Sequence, residues 1–119
     1  MAEVFIQDNI LKVKMKGIRK LWTLKSELSF PIENVVGATI DTDILQKDAP
    51  NTLQKRLGTN LIRIYFGGIF KQDGDLVFWD VKHKEDAVVI ALENEKFSRV
   101  VVGVDDSHAT VEMIEKAIE

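Results

Sequence analysis

About seven short strand-like segments follow one another along this chain, and one amphipathic helix over residues 107–119 closes it. Few architectures accept that order. A run of strands must close on itself or stack as two sheets to bury its apolar faces, and one terminal helix can cover only part of the result. The reading is therefore mainly β, about seven antiparallel strands in packed sheets with a C-terminal α-helix laid on them.

The segments come from local patterns. Leu11, Val13 and Met15 alternate with Lys12, Lys14 and Lys16, the period of a strand with one buried and one wet face. Val4–Gln7 pairs with it across Asp8-Asn9, two residues that tolerate positive φ. Ile18, Leu21 and Trp22 recur at helical spacing, and Leu24, Leu28 and Phe30 resume alternation up to Pro31. Val36, Ala38 and Ile40 are read as the inward face of the next strand.

Residues 42–60 break the pattern and hold at most one short helix ending at Gly58, a connection of a length that is usually mobile or functional. Ile62, Ile64, Phe66 and Phe70 mark another strand, in which Gly67-Gly68 points to a bulge or a close backbone approach. Asp73-Gly74 is a hairpin turn into Leu76–Lys82, apolar on both faces and so covered on both sides. Val88, Ile90 and Leu92, then Val100, Val102 and Val104, supply the last two strands. Asp106 caps the helix, whose stripe is Val111, Ile114 and Ile118 with Ala117 beside it.

Size and composition restrict function. At 119 residues, 45% hydrophobic and 29% charged, the chain reads as one domain with one core. With no cysteine, disulfides, thiolate nucleophiles and zinc–thiolate sites are out. Met1–Asn9 has neither a basic leader nor an apolar core, so export is not expected, and the apolar run Ala87–Leu92 is too short to span a membrane. The expected compartment is the cytoplasm. A net charge of -3 gives no reason to expect nucleic acid. The charge is unevenly spread, however. Six basic residues and no acid fall between Asn9 and Ser26, leaving ten basic against nineteen acidic residues elsewhere.

Four stretches carry a likeness to a family: Leu21-Trp22-Thr23-Leu24-Lys25, Phe30 to Gly37 (FPIENVVG), Arg56-Leu57-Gly58-Thr59 and Phe78-Trp79-Asp80-Val81. With the strand order they resemble small bacterial pleckstrin-homology-like (PH-like) proteins, from about Leu11 to Ile118. The resemblance implies a bent sandwich or open barrel with one end plugged by the final helix, and it implies no activity.

It also implies that the loop after the first strand shares the open end with the 93–98 loop. Lys14, Lys16, Arg19, Lys20 and Trp22 then form a candidate binding surface, with Arg56 on the rim of the long connection. Converging cations would suit an anionic headgroup. The plainer readings are a solvated strand face that discourages edge aggregation, and a Trp22 that covers core. Glu93 and Glu95 at that same end would repel phosphate.

His83 and His108 lack ligand spacing and a nucleophile to serve. The pairs Asp41/Asp43, Asp73/Asp75 and Asp105/Asp106 are read as turn chemistry. Asp80, the one acid inside an apolar strand, is read as facing the surface or as a strand-end hydrogen bonder rather than as a buried functional acid. The expectation is a noncatalytic binding or scaffolding module, without cofactor or metal, that recognises a protein partner through open-end loops or a sheet edge. Self-association through such an edge is also open. The alternative is peripheral attachment to anionic membranes through the basic segment.

Overall fold

The computed structural model describes residues 2–15, 27–41, 65–82 and 86–119. Within them lie eight strands: β1 (Glu3–Gln7), β2 (Ile10–Lys14), β3 (Glu27–Pro31), β4 (Val35–Asp41), β5 (Tyr65–Gln72), β6 (Asp75–Lys82), β7 (Asp86–Leu92) and β8 (Arg99–Val104). A 3-10 turn, Ile32–Asn34, precedes β4, and the helix α1 (Ser107–Ile118) closes the chain. The strands form two sheets, β1-β2-β3 and β4-β7-β8-β6-β5. Among the described residues the fold is a β-sandwich with one helix, and the sheets do not close into a barrel.

Both hairpin turns follow from local chemistry. Asp8 and Asn9 take φ of 54° and 61°, and Asp73 and Gly74 take 52° and 88°. A two-residue hairpin of this kind needs positive φ at both central positions, which Asp, Asn and Gly tolerate best. Gln7 then faces Ile10, and Gln72 faces Asp75.

The main core lies between the sheets. Leu11, Val13, Met15, Leu28 and Phe30 of the small sheet meet Ala38, Phe78, Val88, Ile90, Val100, Val102 and Val104 of the large one. Ile114 of α1 joins them, with Val111, Met113 and Ile118 partly buried beside it. The helix packs mainly on β4, touching β1, β7, β8 and the 3-10 turn, and so closes the side of the sandwich between β1 and β4. The Asp106 carboxylate accepts from the Ala109 amide at 3.0 Å, as the sequence predicts. On the other face of the large sheet, Val77, Trp79, Val81, Ala87 and Val101 form a second buried cluster. The strand β6 is therefore covered on both sides, as its composition requires.

Two expectations need correction, and at Gly67-Gly68 the close approach holds rather than the bulge offered beside it. The strands are not all antiparallel, because β8 inserts between β7 and β6 and runs parallel to β6, with Val77 opposite Arg99 and Asp80 opposite Val102. The irregularity expected at Gly67-Gly68 is not a bulge, since β5 and β6 pair without a break from Tyr65↔Lys82 to Gln72↔Asp75. Gly68 instead takes a φ of 129°, and a Cβ there would lie 3.3 Å from the Phe70 ring. The bulge is in β4, where the register shifts between Val35 and Gly37. It turns Val35 inward, 4% exposed, and leaves Val36, the predicted core residue, 56% exposed.

Candidate functional site

Of the six residues singled out from the sequence, only Lys14 can be placed. Lys16, Arg19, Lys20, Trp22 and Arg56 lie outside the described residues, as do His83, Asp43 and the predicted helical turns near Leu21 and Leu57. Lys12 and Lys14 project from β2 away from the core, as alternation predicts.

Neither lysine stands in an unbalanced field. Lys14 is the direct cross-strand partner of Glu3 on β1 and of Glu27 on β3, so a carboxylate flanks it on each side of the same face. Opposite charges at such positions attract across roughly 5 Å between Cβ atoms. Lys12 also reaches Glu27, at 4.0 Å. Two cations and two carboxylates thus share this face. Sequence order hides this balance, because Glu3 and Glu27 reach Lys14 only through the register of β1 and β3.

The 93–98 loop lies at the other end of the small sheet. Lys14 and Glu27 end one side of it, whereas Ile10 and Pro31 end the side next to the Asp8-Asn9 turn. Glu93 and Glu95 belong to that second end. The Ile32 amide donates to the Asn9 carbonyl at 3.0 Å and the Glu93 amide to the Asn34 carbonyl at 2.9 Å. The Asn34 side-chain amide donates to Glu95 Oε2 at 2.6 Å. Four residue steps of strand, roughly 13 Å, separate Lys14 from the end that carries Glu93 and Glu95, and the loop expected to share that end lies outside the described residues.

These bonds join three connections into one ordered rim. Asp8, Glu33, Val36, Glu93 and Lys96 on it are exposed, and Glu95 is half-buried. The loop is held from below by Phe97, 4% exposed, whose ring lies under Lys96 Nζ at 5.6 Å. Four carboxylates against one lysine make the described part of the rim acidic. Asn34 and Phe97 organise it, and neither attracts notice in sequence beyond the turn propensity of Asn.

Asp80 also departs from expectation. It is fully buried, on the face of β6 that carries Phe78. A carboxylate at such a depth needs a compensating interaction, and Asp80 makes one. A hollow of about 160 Å3 opens between Ala2–Val4 and the start of α1 at Asp106 and Thr110, lined by neither Asp80 nor a histidine. His108 is exposed in the first turn of α1. Among the described residues no three His, Cys, Asp or Glu side chains are grouped to hold a metal ion, and no helix is long and apolar enough to cross a membrane. Compared with protein-family models, curated proteins and solved structures, the chain matches none.

Proposed function

We propose that this chain is a noncatalytic binding or scaffolding module, PH-like in its order of strands and closing helix, that recognises a protein partner in the cytoplasm through the loops at one end of its sandwich. The observation that carries the reading is the bonded rim, in which Asn9, Ile32, Asn34, Glu93 and Glu95 tie three connections together. Loops ordered before binding lose little entropy when a partner arrives, so more of the contact energy remains as affinity. The excess of carboxylates favours a partner that presents a basic surface, and speeds its approach.

We rank membrane attachment second, because the charge balance around Lys14 gives it little support. An anionic bilayer rewards net positive charge by about 1 kcal/mol for each surface cation. On the described face of the small sheet, Glu3 and Glu27 offset Lys14 and Lys12.

A pull-down from cells of the source organism, identified by mass spectrometry, tests the reading with wild type beside a Glu33→Lys, Glu93→Lys variant. Both side chains are exposed, so the variant keeps its fold. The expected result is a specific protein held by wild type, lost by the variant and released by salt. Equal capture by both defeats the rim as the binding surface. Salt-sensitive binding to phosphatidylserine vesicles that vanishes in Lys14→Glu would put the membrane reading first.

A further inference from the structure

Gly37 stands inside β4, where a glycine is costly, since it must order a flexible backbone and offers its neighbours no side chain. The usual reasons for a strand glycine do not apply. Its φ lies outside the positive region that Gly68 and Gly74 occupy. A Cβ built on it would meet only Glu115 Oε1, at 3.7 Å, which is ordinary contact. The residue left over by the bulge is Val36, whereas Gly37 already pairs with Ala91.

The missing side chain opens the surface instead. Ala38 and Ile90 belong to the main core, so Gly37, Thr39, Val89 and Ala91 face the other side of the large sheet, with Gly37 across from Ala91 and Thr39 across from Val89. Two small residues side by side leave a shallow gap with an apolar floor. Val36 and Thr39, both exposed, flank it along β4, and Val89 and Ala91 are half-buried. Glu115 Oε1 lies against Gly37 and accepts from the Ala38 amide at 3.3 Å, and exposed Glu93 stands two residues beyond Ala91, where the acidic rim begins. Among the described residues no lysine or arginine pairs with Glu93 or Glu115, since Lys116 turns to Glu112 at 3.0 Å. Arg99 lies beyond Ala91 on β8, one strand further from Gly37.

We infer that this gap receives the side chain of a lysine or arginine from the partner. Its methylene stem lies on Gly37 and Ala91 between Val36 and Thr39, and its cationic head reaches the carboxylates beside them. Long cationic side chains suit an apolar floor with an acidic margin, because the stem buries apolar surface while the head keeps an anion within reach. The inference deepens the rim reading and rests on it.

A displayed library of random short peptides, selected on the full chain, tests it. The leading peptide is then measured by fluorescence anisotropy on wild type, Gly37→Ala, Gly37→Val and the Glu33→Lys, Glu93→Lys variant. Wild type is expected to enrich peptides that carry lysine or arginine, with binding that weakens as salt rises. Gly37→Val fills the gap and is expected to weaken the leading peptide about tenfold, the loss when about two methylenes of stem are no longer buried. Gly37→Ala falls between. Both glycine variants should keep or raise the urea midpoint, since either residue suits a strand interior better than glycine. A midpoint well below wild type for Gly37→Ala would give the glycine a structural reason and overturn the inference. So would an absence of enrichment over empty beads, a pool without lysine or arginine, or binding that Gly37→Val leaves intact. In that last case, loss of the peptide from the Glu33→Lys, Glu93→Lys variant would keep the rim as a binding surface without the gap, and indifference to every variant would count against both.

Discussion

Phe97 stands edge-on against Phe78, with ring centroids 5.8 Å apart and ring planes at 60°. One ring belongs to a loop and the other to the centre of β6, so this contact fixes the acidic rim to the main core. The edge-to-face arrangement adds to the area buried, because the positive rim of one ring meets the negative face of the other. Phe97→Ala is expected to lower unfolding free energy by about 3 kcal/mol, while Phe97→Leu costs less. Urea denaturation measures both. Hydrogen exchange should quicken at the Glu93 and Ser98 amides in the alanine variant, since these bond to Asn34 and Leu76. A loss below about 1 kcal/mol would mean the ring is not anchored in this way.

The bulge in β4 reverses the roles of two adjacent valines. Val35 is buried and Val36 is more than half exposed. Val35→Thr places a hydroxyl in the core and is expected to cost about 1–3 kcal/mol. Val36→Thr, nearly the same shape on the surface, stays within about 0.5 kcal/mol of wild type. Denaturant midpoints of the two single variants decide it. The opposite ranking would restore uninterrupted alternation through Val36, Ala38 and Ile40.

This pair also marks the limit of what the sequence discloses. Turns at Asp8-Asn9 and Asp73-Gly74 are legible because their chemistry is local, and so are the Asp106 cap and the inward face Val88, Ile90, Leu92. Val35-Val36-Gly37 is not, since both valines suit a buried position and only pairing with Leu92 and Ala91 selects one. Insertion of β8 between β7 and β6 is equally hidden, because no composition separates a strand that joins an edge from one that enters the middle. Asp80 was within reach. It shares parity with Leu76 and Phe78 on a strand read as covered on both sides, so its burial follows from the same alternation. The candidate site was the least legible part, because the neutralising partners of Lys14 lie 11 residues before it and 13 after it in the chain.

Asp106 holds the start of α1 through its side chain on the Ala109 amide and its carbonyl on Thr110, whose amide and hydroxyl donate at 3.0 and 2.8 Å. The side-chain bond alone is removed by Asp106→Ala, expected to cost about 1 kcal/mol. Asp106→Asn keeps an acceptor oxygen and loses only the attraction of the charge for the helix dipole, a few tenths of that. Thermal melts of the three proteins should rank wild type, Asn, Ala. Equal losses for Asn and Ala would assign the effect to charge rather than to the cap.

Gly68 and Gly74 both take positive φ, for different reasons. At Gly74, φ is 88° and a Cβ would meet nothing within 4 Å, so Gly74→Ala costs backbone strain alone, about 1 kcal/mol. At Gly68, φ is 129°, a region that side chains essentially avoid, and a Cβ would also press on Phe70 Cε2 at 3.3 Å. Phe70 packs beside Trp79, the direct cross-strand partner of Gly68, whose indole donates to Gln72 Oε1 at 2.8 Å. Displacing that ring therefore disturbs the second buried cluster as well as the backbone. Gly68→Ala is expected to cost about 2–3 kcal/mol, clearly more than Gly74→Ala, and to alter Trp79 fluorescence in the folded protein. If the two variants unfold at the same denaturant concentration, Phe70 gives way freely and the close approach at Gly68 has no packing role.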